Sequence, residues 1–250
     1  MVKYLATRLR PGKGFAHIFH LSLIALIPIF LWFFVRIDLI AVAFIILLLS
    51  KWRMFAVHPR HWIAHLRSNA VDIITGLSFI IGLVQTNSLL IQVLLIVLYE
   101  AWLLYIKLGS SVVMVAIQAL VAQTLGFTTF FLAFQGADLA LYVAGFWLIA
   151  YFSARHFFAA FDELHSSLIA SIWGFFSASL MWVLAHWLIF FGPIAQPALL
   201  LTVIALCLSG LYYLDKHQRL HQTIKRQLVF TMLAIIFVIV VFSDWGDKAI

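Results

Sequence analysis

The stretch "KWRMFAVHPRHWIAHLRSNAVD", Lys51 to Asp72, holds three histidines and four basic residues between two runs of nearly pure hydrocarbon, 38–50 and 71–84. A short polar island between long apolar runs is what a chain shows where it leaves a membrane and turns back. Pro59 suits the first turn of a helix, where its missing N–H costs nothing. From there Trp62, Ile63, Leu66 and Ala70 fall on one helical face, and Arg60, His61, Ala64, His65 and Arg67 fall roughly on the other. Such an amphipathic segment lies well at the headgroup level. Residues 51–70 are therefore expected to form a basic interfacial loop on the cytoplasmic side. Its anchors to anionic lipid are Lys51, Trp52, Arg53, Arg60, Trp62 and Arg67, each basic residue adding about 1 kcal/mol near the surface. Asn69 and Asp72 have the spacing of an N-cap and its third residue, which starts a new helix into the bilayer.

Composition agrees. The 250 residues are 65% apolar and 10% charged, whereas a soluble domain carries about 25% charged residues. With so little charge a soluble fold would expose large apolar patches, which soluble monomers avoid. The expected class is an all-α polytopic membrane bundle, a single integral membrane domain over 1–250. The net charge of +7 speaks through its distribution, not for nucleic acid. The single cysteine, Cys207, excludes an internal disulfide. The basic start, "MVKYLATRLRPGKGF", resembles a signal n-region. The following apolar run, 17–35, is too long for an h-region and ends without a small-x-small site, so it reads as a retained first span.

A hydrocarbon core of about 30 Å calls for about 20 apolar residues in a helix. Nine candidate spans follow: 17–35, 38–50, 71–84, 89–106, 111–134, 139–154, 166–191, 197–214 and 228–243. With the N-terminus in the cytoplasm, the cytoplasmic side receives the residues from Lys3 to Lys13, the four from Lys51 to Arg67, and Lys107, Arg155, Lys216, Arg219, Lys225 and Arg226. Arg36 and Lys248 fall outside, so 14 of the 16 Lys and Arg lie on one side. The positive-inside rule asks for this bias, and a wrong count would scramble it at each later loop. The runs 38–50 and 71–84 give only about 20 Å each at helical rise; if they are re-entrant, the count falls to seven or eight. Residues 215–227 form a second basic cytoplasmic loop.

Glu100, in "LIVLYEAWLLYIKLG", is a carboxylate well inside a span. Such a charge costs about 2.5–3.5 kcal/mol at the bilayer centre and faces a partner or water. Lys107 lies seven residues on, near the same helical face. Gln118 and Gln123 add amides to the next span, where interhelical bonds satisfy them. Glu100, Gln118, Gln123 and Lys107 are the transport-pathway candidates. Ala170, Gly174 and Ala178 form a seam of small residues for close helix packing.

A metal reading concerns His61 and His65, and His217 and His221, each pair four apart. Arginines interleave with them, there is no His-His pair of the kind in membrane di-iron enzymes, and histidine favours wet boundaries. No metal site and no cofactor is expected. No P-loop, H-E-x-x-H or G-x-S-x-G motif occurs. Three function classes stay open. A transporter or channel for a small solute or ion, using the buried Glu, is the favoured one. A membrane-embedded enzyme using cytoplasmic-face histidines and a non-catalytic subunit of a membrane complex are the others. The expected setting is the plasma membrane, with homo-oligomers or other membrane subunits as partners and no nucleic acid.

Overall fold

The computed structural model describes residues 15–52, 56, 58–187, 190–191 and 194–245, and these form an almost wholly helical protein. Ten α-helices follow in order: α1 (Phe15–Arg36), α2 (Ile40–Leu49), α3 (Trp62–Ser68), α4 (Ala70–Gln85), α5 (Leu89–Ala101), α6 (Val112–Ala133), α7 (Leu139–Ala159), α8 (Ser166–Leu184), α9 (Gln196–Lys216) and α10 (Gln222–Phe242). Among the described residues five segments are long and apolar enough to cross a membrane: Leu89–Ile106, α6, α8, α9 and α10. The turn before α3 and α3 itself meet α4 at 66°. Local chemistry explains several ends. Ser111 accepts from Met114 N at 3.3 Å and caps α6. Gly136, at φ +76°, makes the turn after α6, a conformation that L side chains rarely adopt.

Two cores share one helix. The first joins α1, α2, α4 and α5 around Leu31, Leu47, Ile80 and Leu83, with Ala122 of α6 closing it. The second joins α6 to α9 around Phe127, Phe146, Met181 and Leu201. Phe127 and Phe146 stack at 4.2 Å. Helix α6 comes close to both sides at Gly126, where an added Cβ would sit 2.8 Å from Ile74 and 2.9 Å from Ile149. The seam Ala170, Gly174, Ala178 is buried, and Gly174 faces Trp147 of α7. Helix α10 stands apart, with Ile239 its only buried side chain.

Hydrogen bonds link the helix ends in two groups. At one end Trp32 of α1 donates to Gln92 of α5 at 3.0 Å, Gln85 of α4 donates to the Leu132 carbonyl of α6 at 3.0 Å, and Gln196 of α9 donates to Ser243 at 3.1 Å. At the other, Gln118 ties the start of α6 to the Ile106 carbonyl and to His156 of α7, while Lys216 of α9 meets Glu163.

The expected boundaries need three corrections. The run 166–191 does not continue as helix: α8 stops at Leu184, and Phe190–Phe191 pairs antiparallel with Ile194–Ala195 before α9. Helix α7 extends five residues past 154 to Ala159. Helix α10 begins at Gln222, so the basic loop 215–227 shrinks to His217–His221, and Lys216, Lys225 and Arg226 belong to helices.

Candidate functional site

From Pro59 to Ser68 the chain is helical, as the spacing of its residues predicts. Within α3 no residue is buried, and Trp62, Ile63 and Leu66 stay exposed beside Arg60 and Arg67. Trp52 is exposed as well, while Arg53 lies outside the described residues. Lys51 departs from the anchor reading: it is buried and pairs with Asp72 at the start of α4. The capping box fails too. Asn69 turns its amide back to the His65 carbonyl at 2.8 Å, and the carboxylate of Asp72 faces inward.

Asp72 is the centre of a buried charge cluster. Lys51 bonds one carboxylate oxygen, Lys107 approaches the same oxygen at 2.7 Å, and Trp102 Nε1 donates to the other at 3.2 Å. Thr75, Gly76 and Phe79 continue that face of α4 and are buried, as their spacing predicts. The helix that brings Trp102 and Lys107 together is irregular. Over Trp102–Ile106 the backbone adopts π geometry, with Lys107 N donating to the Trp102 carbonyl at 2.8 Å. In a regular α-helix two residues five apart point about 140° away from each other; the wider turn brings both toward one carboxylate. The same widening rotates Lys107 off the face of Glu100. Glu100 is half-buried, and its carboxylate has no hydrogen bond or ion pair among the described residues.

Gln118 and Gln123 also part company. Gln118 Nε2 donates to the carbonyls of Ile106 at 2.6 Å and Gly109 at 3.0 Å, fastening the end of the π segment. Its Oε1 lies 2.8 Å from His156 Nε2, so that histidine nitrogen carries the proton. Gln123 belongs to a different place. Glu100, Lys107, Gln118 and Gln123 therefore do not converge on one path. His61 receives a bond from Arg60 Nε at 2.9 Å, and His217 bonds the Tyr213 carbonyl at 2.8 Å. Among the described residues no three His, Cys, Asp or Glu are grouped to hold a metal.

A cavity of ligand size lies elsewhere, between α6, α7, α8 and α9. It has a volume of about 440 Å³, within the usual ligand range of about 300–1,000 Å³. Its wall is built from Ala119 and Gln123 of α6, Ser153 and Phe157 of α7, Trp173 of α8 and Tyr212 of α9, with further apolar side chains between them. Ile172, Phe176 and Leu208 both line it and are exposed, so the cleft opens sideways between α8 and α9. Gln123 Oε1 accepts from Trp173 Nε1 at 2.9 Å, but Gln123 Nε2 and Ser153 Oγ are buried without a partner among the described residues. An unmade buried bond costs about 1–3 kcal/mol.

The cleft closes at the loop between α7 and α8. Tyr212 donates to Glu163, and Lys216 Nζ lies 2.7 Å from the same carboxylate oxygen. The rings of Phe157, Phe158 and Phe161 surround Tyr212 edge-on at 5.0–5.8 Å. The Lys216 ammonium and the Tyr212 hydroxyl hold the Glu163 carboxyl below its ordinary range.

Sequence reading gave Asp72 only a capping role and passed over Ser153, Trp173 and the pairing of Glu163, Tyr212 and Lys216. Only Asp72 carried a usable signal, a carboxylate on the apolar face of its own span. Comparison with protein-family models, characterised proteins and solved structures finds no match.

Proposed function

We propose that the chain is a carrier of the plasma membrane that takes a small hydrophobic solute from the bilayer into the cleft between α6 and α9. One observation carries the reading: a cavity of ligand size, almost wholly apolar, whose mouth between α8 and α9 faces where lipid would lie. The buried cluster at Asp72 fastens α4 to the end of α5 and braces the neighbouring core.

The bilayer is crossed nine times, by every α-helix except α3, with the N-terminus in the cytoplasm. Support comes from the two groups of linked helix ends and from the cations. Lys51, Lys107, Lys216 and Arg219 belong to one group, and Arg36 belongs to the other. Helix α2 spans only about 15 Å and α4 about 24 Å, so Lys51 and Asp72 lie below the cytoplasmic surface, shielded by protein. Helix α3 rests on that surface, with Arg60 and Arg67 toward anionic headgroups. A second reading, assembly with another copy or another membrane subunit, is favoured by α10 alone, a 21-residue apolar helix with one buried side chain.

Photolabelling in vesicles with an alkyl diazirine tests the cleft. Label is expected on peptides from α8 and α9, and Ala205→Phe, which fills the cavity, is expected to remove it. Label spread evenly over lipid-facing helices, α10 included, would refute the uptake site. Vesicles bearing the protein are also expected to exchange a fluorophore-tagged apolar solute faster than those bearing Ala205→Phe; equal rates would leave a binder without carriage.

A further inference from the structure

Both unpartnered groups in the cleft can donate, the Gln123 amide NH2 obligatorily and the Ser153 hydroxyl as one of its two roles. Trp173 Nε1 can only donate, so the atom of Gln123 that faces it at 2.9 Å is the oxygen, and the NH2 group is left over. Ser153 differs from six other helical hydroxyls of this protein. Thr75, Thr124, Thr128, Ser171, Ser177 and Thr202 each donate to the carbonyl four residues back. Ser153 Oγ makes no such bond. Both side chains line the cleft, at 3% and 1% exposure.

Depth narrows the occupant. Gln123 lies midway along α6, about 16 Å from its start, which in a spanning helix is the middle of a hydrocarbon core of about 30 Å. A charged headgroup is costly there, and the ester region of bilayer phospholipid lies outside that core. A neutral acceptor on an apolar body meets both demands.

We infer that the cleft binds a neutral, membrane-dissolved molecule carrying a carbonyl-type oxygen, which accepts from Gln123 Nε2 and Ser153 Oγ. Trp173, Phe157, Phe158 and Phe176 hold its apolar body. This rests on the cleft being the uptake site and names the chemistry of its solute.

The test uses the full chain in lipid nanodiscs, labelled by the alkyl diazirine in competition with a long-chain methyl ketone or the n-alkane of equal length. The ketone is expected to compete about tenfold better, the factor that two net hydrogen bonds supply. In Ser153→Ala, which removes a hydroxyl with no partner among the described residues and so spares the fold, the advantage is expected to fall to about threefold. In Ser153→Ala with Gln123→Met it vanishes, read as ketone and alkane competing equally within that same variant. Equal competition by ketone and alkane in the wild type would overturn the carbonyl assignment and leave uptake standing. Failure of both to compete would overturn uptake as well. A ketone advantage undiminished in both variants would put the oxygen elsewhere and overturn the assignment. Nanodiscs of ether-linked lipid, which has no carbonyl, are expected to give the same result as ester-linked ones. Displacement of the probe by ester lipid alone would assign the site to bilayer phospholipid and overturn the inference.

Discussion

Asp72 shows how one carboxylate can be worth more than its position suggests. It neutralises Lys51, which is buried, and steadies Lys107, which reaches it from the π segment. Removing one member of a buried ion pair costs about 3–5 kcal/mol, because the partner is left charged and dry. Asp72→Asn is expected to lower stability by about that amount in denaturant unfolding of the detergent-solubilised protein. Asp72→Leu with Lys51→Met should recover most of it, since Lys107 is half-exposed and can turn outward. Full stability of Asp72→Asn alone would remove the bracing role. Glu163 behaves differently because it is accessible. Its folded carboxyl titrates below the ordinary range, owing first to Lys216 and then to Tyr212. A depressed carboxyl contributes stability that is fully present above the unfolded value and is lost as pH falls through the folded one. Thermal unfolding of the wild type should therefore show an added loss as pH drops through and below the ordinary carboxylate range, and Glu163→Gln should lack that increment. Identical profiles would show that the closure contributes nothing.

Among the elements, apolar runs were the legible part of the sequence and polar geometry was not. Each of the nine expected runs is mostly helical, with 166–191 leaving the α-helix at Leu184, because apolar runs in a membrane must satisfy their backbone internally. The segment from Trp62 to Ser68 is helical as its spacing predicts, and none of its residues is buried. Lys107 was legible only as a neighbour of Glu100 seven residues away, since nothing in "WLLYI" announces a π turn. Nor does composition tell Ser153 from Ser177: one keeps its hydroxyl from the carbonyl four back and the other does not. Pairing across helices depends on rotation and depth, which a periodic pattern leaves free. Helix α6 offers an element-scale test. Gly126→Val would push methyl groups into Ile74 and Ile149 at once. The expected penalty is about 1–3 kcal/mol by overpacking, read as an earlier unfolding midpoint. An unchanged midpoint would mean that α4 and α7 yield freely there.

For the whole molecule the decisive quantity is which loops share a compartment. The native thiol, Cys207, is buried, so single engineered cysteines report cleanly. Gln135→Cys, in the exposed turn after α6, should react with an impermeant maleimide in intact cells. His221→Cys, in the connection before α10, should react only after permeabilisation. Reaction of both from outside would break the nine-crossing layout and the depth assigned to Gln123. The sharing of α6 between two cores has a mechanical consequence. With Ala122 built into one half and Phe127 into the other, any tilt that widens the cleft drags a wall of the opposite half with it. On the proposed carrier function, solute entry would be felt at Asp72 through a common axle, with the ionic brace as the spring against which the door swings.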